Sequence, residues 1–489
     1  MKNILEQISV ITRQRCIEEG YDLRKVEDLA RGYLSVWQER GYVGLSCREA
    51  LEAPDYLWLS FFTGLYDSLG VSERVDSPVA GEEDSSWMYE KDFCFFNVRA
   101  TSLDENKTGN FLQGIKLLPI LRSKGLHLAP FLDCNFGNVY CIDSLERVYP
   151  ETLDQELLDN GIDGETQVRF FIDMAHLAGF VLGFDLEPHT SQFSRVVLQN
   201  PECFRWIRLN KARTSTVPKK MKTLMKEKHQ EKIREEVKRI VDKAVREEGM
   251  ESLEDPNFGI QEIRRAHGKA LKELISEGIW TLPSHTWGGV GLPEFKEYKQ
   301  QDNYPVFDYR NDKGEDHAEH AFGMLTPFRF YDNLPINEVP DEKSPPEINE
   351  DVLDFFASIF PKMRQRFGFD YVRLDYVDHV FDSIMKGDEA LPVAQQRPVS
   401  DRCIPYVLKR VIDRAREESP YVGAMAERMG MDIADYGSIG FDVLLGCDIL
   451  GPVHKESISG TLAFTQEAIG KSQEYPHLAT VPCHTAIHD

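Results

Sequence analysis

Residues 367–380 read FGFDYVRLDYVDHV, a strand-like apolar run that charged residues interrupt. The segment FDYVRLD predicts a buried β-strand, in which successive side chains point to opposite faces. This period of two puts Arg373 and Asp375 on the same face, directed into the interior. An unpaired charge there would cost several kcal/mol, so we predict that the two side chains bind each other or a ligand.

From residue 93 onward the chain alternates short apolar runs with amphipathic helices. We predict about seven strands and no eighth, carried by FCFFNVRA, LHLAPF, FVLGFD, FDYVRLD, YVGAMAE, IGFDVLLGCDI and LATVPCHTAIHD. This alternation is typical of a parallel sheet with helical crossovers. The predicted fold class is α/β, a (β/α)8-type TIM barrel truncated after strand 7.

Two further regions do not follow the alternation. Residues 1–90 have apolar residues at helical spacing, and residues 192–350 contain a Lys/Glu-rich helical segment and a loop rich in Gly, Pro and aromatic residues. We predict a helical N-terminal extension, 1–90, and a partly helical inserted subdomain, 192–350. The barrel is then divided into strands 1–3, within 91–191, and strands 4–7, within 351–489.

Composition excludes several classes of partner. The 489 residues contain 57 basic and 81 acidic side chains, a net charge of -24 that repels nucleic acid and anionic membranes. The N-terminus lacks the features of a signal peptide, no apolar run reaches the ~18 residues of a membrane span, and no CxxC pair occurs among the nine cysteines. These observations favour a cytoplasmic protein whose ligand is a small molecule.

Acidic side chains end four of the predicted strands. Catalytic residues of parallel barrels lie at the C-terminal ends of the strands, because the loops there surround one shared opening. We therefore expect these side chains to lie close together: Asp185, Asp375, Glu427 and, in the last strand, His488 and Asp489.

Two of these strand ends resemble sequence motifs of the α-amylase superfamily, glycoside hydrolase family 13. GFVLGFDLEPHTS is similar to the first motif, DxxxNH, with Asp185 and His189 at its Asp and His. Its Asn is missing and its spacing is one residue shorter. VRLDYVDH matches the second motif, RxDxxxH, with Arg373, Asp375 and His379.

The remaining motifs of that family follow in the same order. VGAMAE supplies Glu427, and the terminal dipeptide supplies His488 and Asp489. GNVYCID resembles the family loop whose tyrosine, here Tyr140, stacks on the reacting sugar. Asp378 stands where many α-amylases have lysine, and the insertion after strand 3 falls where the family has its domain B.

The resemblance implies a retaining mechanism on α-glucans or maltooligosaccharides. Asp375 would be the nucleophile that forms a glycosyl-aspartate, Glu427 the acid/base, and Asp489 a ligand of sugar hydroxyls. We expect Arg373 to keep Asp375 ionised, while an apolar environment keeps Glu427 protonated. Asp185 would bind the sugar or orient Arg373. The other predicted sugar-binding side chains are Tyr140, His189, Asp378, His379 and His488.

The subgroup and the fate of the intermediate stay open. The segment AERMGMDIADYGSIGFDVLLGCDI resembles bacterial maltosyltransferases of this superfamily, so transfer to a sugar or phosphate competes with hydrolysis. No cofactor is predicted, and the missing Asn gives no support to a structural calcium. The alternatives are an inactive glucan-binding or structural protein, and a metal-dependent barrel enzyme that binds Mg²⁺ through the strand-end acids, which Arg373 would oppose.

The chain stops at the fourth motif, at Asp489. We therefore expect the rest of the barrel to come from missing C-terminal sequence or from another chain. An open barrel exposes strand edges, so the 489-residue chain alone is expected to be poorly stable and nearly inactive.

Overall fold

The computed structural model describes most of the barrel and part of the inserted region. The described residues are 1–70, 75–134, 139–192, 194–208, 227–281, 294–298, 304–308, 325–330, 348–375, 385–386, 389–390, 393–428, 433–446, 459–460, 462–463, 466, 470 and 479–481.

Seven parallel strands form the central sheet. In sheet order they are β1 (Phe93–Phe96), β2 (Gly125–Leu128), β3 (Val181–Leu186), β10 (Tyr371–Leu374), β13 (Gly423–Arg428), β14 (Val443–Gly446) and β15 (Ala479–Val481). Every neighbouring pair in this order is parallel. The predicted fold class is confirmed: these are strands 1 to 7 of a (β/α)8-type barrel, and within the described residues the sheet ends at the seventh.

Fourteen α-helices occur in the described part of the chain. They are α1 (Lys2–Glu18), α2 (Leu23–Arg40), α3 (Cys47–Glu52), α4 (Asp55–Leu69), α5 (Phe111–Ile115), α6 (Gln155–Asp159), α7 (Gly164–Leu177), α8 (Arg195–Gln199), α9 (Glu227–Glu247), α10 (Ile260–Ser276), α11 (Glu350–Ala357), α12 (Ile359–Phe367), α13 (Val393–Arg416) and α14 (Ile433–Ile439). Within those residues, no helix is both long and apolar enough to cross a membrane.

The remaining strands pair in short antiparallel ribbons outside the central sheet. They are β4 (His189–Ser191) with β9 (Leu325–Pro327), β5 (Trp206–Arg208) with β6 (Ile279–Thr281), β7 (Glu294–Tyr298) with β8 (Tyr304–Asp308), and β11 (Met385–Lys386) with β12 (Glu389–Ala390). Short 3-10 helices span Ser85–Glu90, Val98–Thr101, Leu118–Ile120, Pro150–Thr152 and Pro201–Cys203. The predicted domain boundaries stay a prediction.

The entry into β10 sets its register against β3. Gly368 follows helix α12 directly, with a φ of 94° that glycine adopts at little cost, and the chain then turns into the strand. The Asp370 carboxylate accepts hydrogen bonds from the Leu182 backbone N–H at 2.8 Å and from His176 Nε2 at 3.0 Å. The resulting register puts Arg373 beside Asp185.

Apolar side chains close the N-terminal end of the barrel. Trp87 and Met88, from the 3-10 helix before β1, pack with Tyr371 and Met425 of the strands. A Cβ on Gly183 would lie 2.1 Å from the Tyr371 ring, so only glycine fits beneath that ring. The barrel interior is therefore filled at this end, and its polar side chains lie at the opposite end.

A buried ion cluster ties the inserted region to the barrel. Arg195, in α8, is 1% exposed, and its guanidinium donates to Asp143 at 2.7 Å, to Glu254 at 3.2 Å and to Asp133. Asp133 and Asp143 follow β2, whereas Glu254 lies between α9 and α10. Removing one partner from such a buried cluster would leave the charge of the remaining partners uncompensated.

Glu254 in this cluster predicts a pH dependence of stability. Burial, with the nearby Asp143 carboxylate, raises its pKa to about 7 even though Arg195 acts to lower it. Because folding raises this pKa, the free energy of unfolding depends on pH. The contribution of Glu254 to that free energy is fully present below the pKa of the unfolded chain, near 4.5, and is lost as the pH rises through about 7.

We expect Glu254→Gln to remove this dependence. Between pH 5 and pH 8 the native protein should lose roughly 2–3 kcal/mol more free energy of unfolding than the variant, as measured by urea denaturation. Glu251→Gln, a neighbouring exposed position, is the control and should behave as the native protein does. Parallel pH profiles for the native protein and Glu254→Gln would contradict the prediction.

Candidate active site

Three adjacent strands present their acidic residues at one level of the barrel. The register pairs Leu374 of β10 with Leu186 of β3 and with Ala426 of β13. Asp375 continues the ladder, because its backbone N–H donates to the Leu186 carbonyl at 3.1 Å. Asp375 therefore has Glu427 beside it on one strand and the residue after Leu186 beside it on the other.

Arg373 lies one layer below and contacts three carboxylates on three strands. Its Nη1 donates to Asp185 Oδ1 at 2.9 Å and to Asp375, and its Nη2 lies 3.2 Å from Glu427 Oε1. The Arg373 side chain is 1% exposed, whereas Asp375 and Glu427 each keep 17% of their side-chain surface exposed. The cation is thus sealed beneath two carboxyls that face the opening of the barrel.

Asp185 is held by two donors at the base of the site. Besides Arg373, His127 Nε2 in β2 lies 2.9 Å from Asp185 Oδ2. Burial alone would raise the pKa of this carboxyl, but Arg373 and His127 outweigh burial and lower it. Both oxygens of the charged Asp185 are bound by these partners. This arrangement suits Asp185 to orienting Arg373 better than to contacting a sugar directly.

The pKa of the Asp375 carboxyl differs from the expectation that Arg373 keeps this group ionised. Burial, the Glu427 and Asp185 carboxylates and a hydrogen bond with Glu427 raise its pKa well above the usual value, in spite of Arg373. A hydrogen bond between two carboxyls requires a proton on one of them, so Asp375 and Glu427 titrate as a pair. The sequence shows only the nearby cation, whereas the fold adds the acids of two neighbouring strands.

The other predicted site residues fall into two groups. Tyr140 is buried near Asp185 and Arg373, where burial followed by the Asp185 charge raises the pKa of its phenol. His189 is buried in β4, which pairs with β9 of the inserted region. The rest of the predicted residues lie outside those that the structure describes: Asp378, His379, His488 and Asp489.

Sequence reasoning missed two residues of this site. His127, in β2, anchors Asp185, and Glu187 is a buried carboxyl immediately after β3. The period of two would have found both, because His127 interrupts an apolar strand and Glu187 shares the face of Asp185. The DxxxNH motif specifies its Asp, Asn and His positions and leaves the residues between them undefined.

The arrangement favours acid/base and nucleophilic chemistry over metal binding. Asp185, Asp375 and Glu427 all direct oxygens to Arg373, so a divalent cation would have to compete with the guanidinium for them. In the described part of the chain, no group of three or more His, Cys, Asp or Glu side chains has an arrangement that could hold a metal ion.

Comparison with known proteins finds similarity only among solved structures. No family model and no curated protein matches the chain. The structural neighbours are α-amylase-family (glycoside hydrolase family 13) enzymes. Among them are an α-amylase from H. orenii, with 14% identity and a TM-score of 0.40 over 79% of this chain, and trehalose-6-phosphate hydrolase from Bacillus licheniformis, with 13% and 0.37 over 74%.

A third neighbour is the maltogenic α-amylase AmyB from Thermotoga neapolitana, with 10% identity and a TM-score of 0.38 over 79% of this chain. The chain spans 58%, 50% and 57% of the lengths of these three proteins, in the order named. At such identities and TM-scores the similarity assigns neither family nor activity.

Proposed function

We propose that this protein is a retaining, α-glycoside-cleaving enzyme that acts on α-glucans or maltooligosaccharides through a covalent glycosyl-aspartate. One observation carries the proposal: the Asp375 and Glu427 carboxyls lie at the C-terminal ends of adjacent barrel strands, and both contact Arg373. Paired carboxyls at this edge of a parallel barrel are suited to glycosidic bond cleavage.

Each carboxyl has a separate task in the proposed reaction. Asp375 attacks the anomeric carbon as Glu427 transfers its proton to the departing glycosidic oxygen, and a glycosyl-aspartate ester forms. Glu427, now a carboxylate, then takes a proton from water or from a sugar hydroxyl, whose oxygen displaces Asp375. The proton that the pair shares is the one needed in the first step.

The separation of the carboxyls favours retention of anomeric configuration. Inverting enzymes keep their carboxyls about 6.5–9.5 Å apart, so that a water molecule fits between the base and the sugar. Here Arg373 Nη1 contacts Asp375 and Arg373 Nη2 lies 3.2 Å from Glu427 Oε1, so both carboxyls meet the same guanidinium. Carboxyls held close together by one guanidinium favour direct attack by Asp375, as in retaining enzymes, whose carboxyls are about 5–5.5 Å apart.

The acceptor that completes the reaction belongs to the proposal as well. We propose maltosyl-type transfer or hydrolysis on the basis of the resemblance of residues 426–449 to bacterial maltosyltransferases. Whether water or a sugar resolves the ester depends on acceptor binding and on the exclusion of water from the site.

Product analysis tests the proposed function. The full-length gene product is incubated with maltooligosaccharides, with and without phosphate, and the sugars are separated by chromatography. Release of glucose or maltose indicates hydrolysis, a ladder of longer and shorter glucans indicates transfer, and a phosphate-dependent product indicates transfer to phosphate. Unchanged sugar pools, or activity that collapses in EDTA and returns with Mg²⁺, would refute the proposal.

A further inference from the structure

Glu187 completes a row of three carboxyls across the site. It follows β3 by one residue, and the ladder of β3 and β10 continues beyond the strands through the hydrogen bond from the Asp375 N–H to the Leu186 carbonyl at 3.1 Å. This register puts Glu187 beside Asp375, on the side opposite to Glu427. The nucleophile proposed above thus lies between two acids on neighbouring strands.

Glu187 differs from the other acids of the site in its partners. Arg373 contacts the carboxylates of Asp185, Asp375 and Glu427. Glu187 is 4% exposed, and its Oε1 has no hydrogen-bond partner among the described residues. A buried polar atom without a partner destabilises the folded protein, and a ligand that supplies the partner recovers this energy.

The protonation state of Glu187 follows from its surroundings. Burial and the charges of Asp375, Asp185 and Glu427 raise its pKa well above the usual value, although Arg373 acts to lower it. The raised pKa favours the protonated carboxyl, which has one O–H donor and acceptor oxygens. A hydroxyl group is both donor and acceptor, and it can satisfy such a carboxyl without bringing a charge into the site.

We propose that Glu187 is a substrate-binding residue whose carboxyl hydrogen-bonds a ring hydroxyl of the sugar that Asp375 attacks. The proposal rests on the proposed function, and it adds a third carboxyl to the two that carry the chemistry. Glu187 forms no covalent bond with the sugar and transfers no proton in the reaction. Its hydrogen bond orients the sugar ring so that the face attacked by Asp375 is turned towards that residue.

Two substitutions separate binding from structural support. Glu187→Gln keeps the size of the side chain together with a donor and an acceptor, and it should retain kcat/KM for maltosyl fluoride within a few-fold. Glu187→Ala removes both groups and should lower kcat/KM by about 10- to 100-fold. Glu254→Gln, at a buried glutamate outside the site, is the matched control and should leave kcat/KM unchanged.

Monodeoxy substrates identify the contact. If Glu187 binds one hydroxyl, the loss in Glu187→Ala should disappear for the maltosyl fluoride that lacks this hydroxyl and persist for the other deoxy sugars. A loss of the same size on every deoxy substrate would overturn the proposal, as would equal losses in Glu187→Gln and Glu187→Ala.

Binding measured without turnover separates this proposal from the proposed function. Calorimetry with maltotetraose, in the Asp375→Asn background that removes turnover, should show a weaker affinity when Glu187→Ala is added and a nearly unchanged affinity when Glu187→Gln is added. Sugar binding without turnover would refute the glycosidase function yet still test Glu187. Native-like affinity in Glu187→Ala, or no sugar binding by the native protein, would overturn the role of Glu187.

Discussion

Asp375→Asn is expected to lower kcat on maltooligosaccharides by at least about 10⁴-fold, because an amide cannot form the glycosyl ester. The fold should persist, since the amide has the same shape and removes a negative charge from a row of acids. Turnover is measured on purified variants with equal far-ultraviolet circular dichroism. Asp354→Asn, the same change on the exposed face of α11, is the matched control and should keep native turnover.

Chemical rescue makes the assignment of Asp375 more specific. Asp375→Ala opens space for a small anion, so azide should restore part of the turnover of an α-maltosyl fluoride and yield a maltosyl azide of inverted configuration. The azide forms the bond that Asp375 would otherwise form, and fluoride leaves with the electron pair. Native turnover in Asp375→Asn would exclude this residue as the nucleophile.

Arg373→Met is expected to cost roughly 3–5 kcal/mol of folding free energy, because it leaves the carboxyls of three strands without their shared cation. Without the cation the folded state favours the protonated form of these acids, so their pKa values rise further. The deficit should therefore be larger at pH 8 than at pH 5, as measured by urea denaturation.

Two other arginine variants complete this test. Arg373→Lys keeps one positive charge but cannot reach three carboxyls at once, so its stability should fall between the native protein and Arg373→Met. Arg410→Met removes an exposed ion pair with Asp354 and should cost less than about 1 kcal/mol. A deficit in Arg373→Met that does not depend on pH, or is as small as that of Arg410→Met, would show that the acids do not depend on Arg373.

The sequence predicts the fold well because each strand is recognisable from a short, local pattern of apolar residues. FDYVRLD and YVGAMAE each contain an apolar core and a terminal acid, and the rule that strand ends of a parallel barrel converge brings Asp375 and Glu427 together without any knowledge of register. The contacts of Arg373 with Asp185 and Asp375 likewise follow from the period of two and from parallel pairing.

The remaining features depend on contacts that local patterns do not reveal. The raised pKa of Asp375 arises from acids on two other strands, while the sequence around it shows only Arg373. Glu187 has the appearance of an ordinary loop acid until the register of β3 and β10 is known. The Arg195 cluster joins segments on both sides of the insertion, and no spacing of residues indicates that Glu254 meets Asp143.

The insertion between β3 and β10 has a consequence for the order of folding. Arg373 and Asp185 are hydrogen-bonded but 188 residues apart in sequence. Doubling a loop adds only about 0.6 kcal/mol of closure entropy, so the long excursion costs little stability but delays the contact.

We expect β1 to β3 to assemble early, with Asp185 and His127 already in place and Asp375 still absent. Pulsed hydrogen exchange should then show protection of Val181–Leu186 before Tyr371–Leu374, and simultaneous protection would contradict this order. On such a pathway a partly folded chain cannot carry out the proposed reaction, because the inserted region must be accommodated before Asp375 reaches its neighbours.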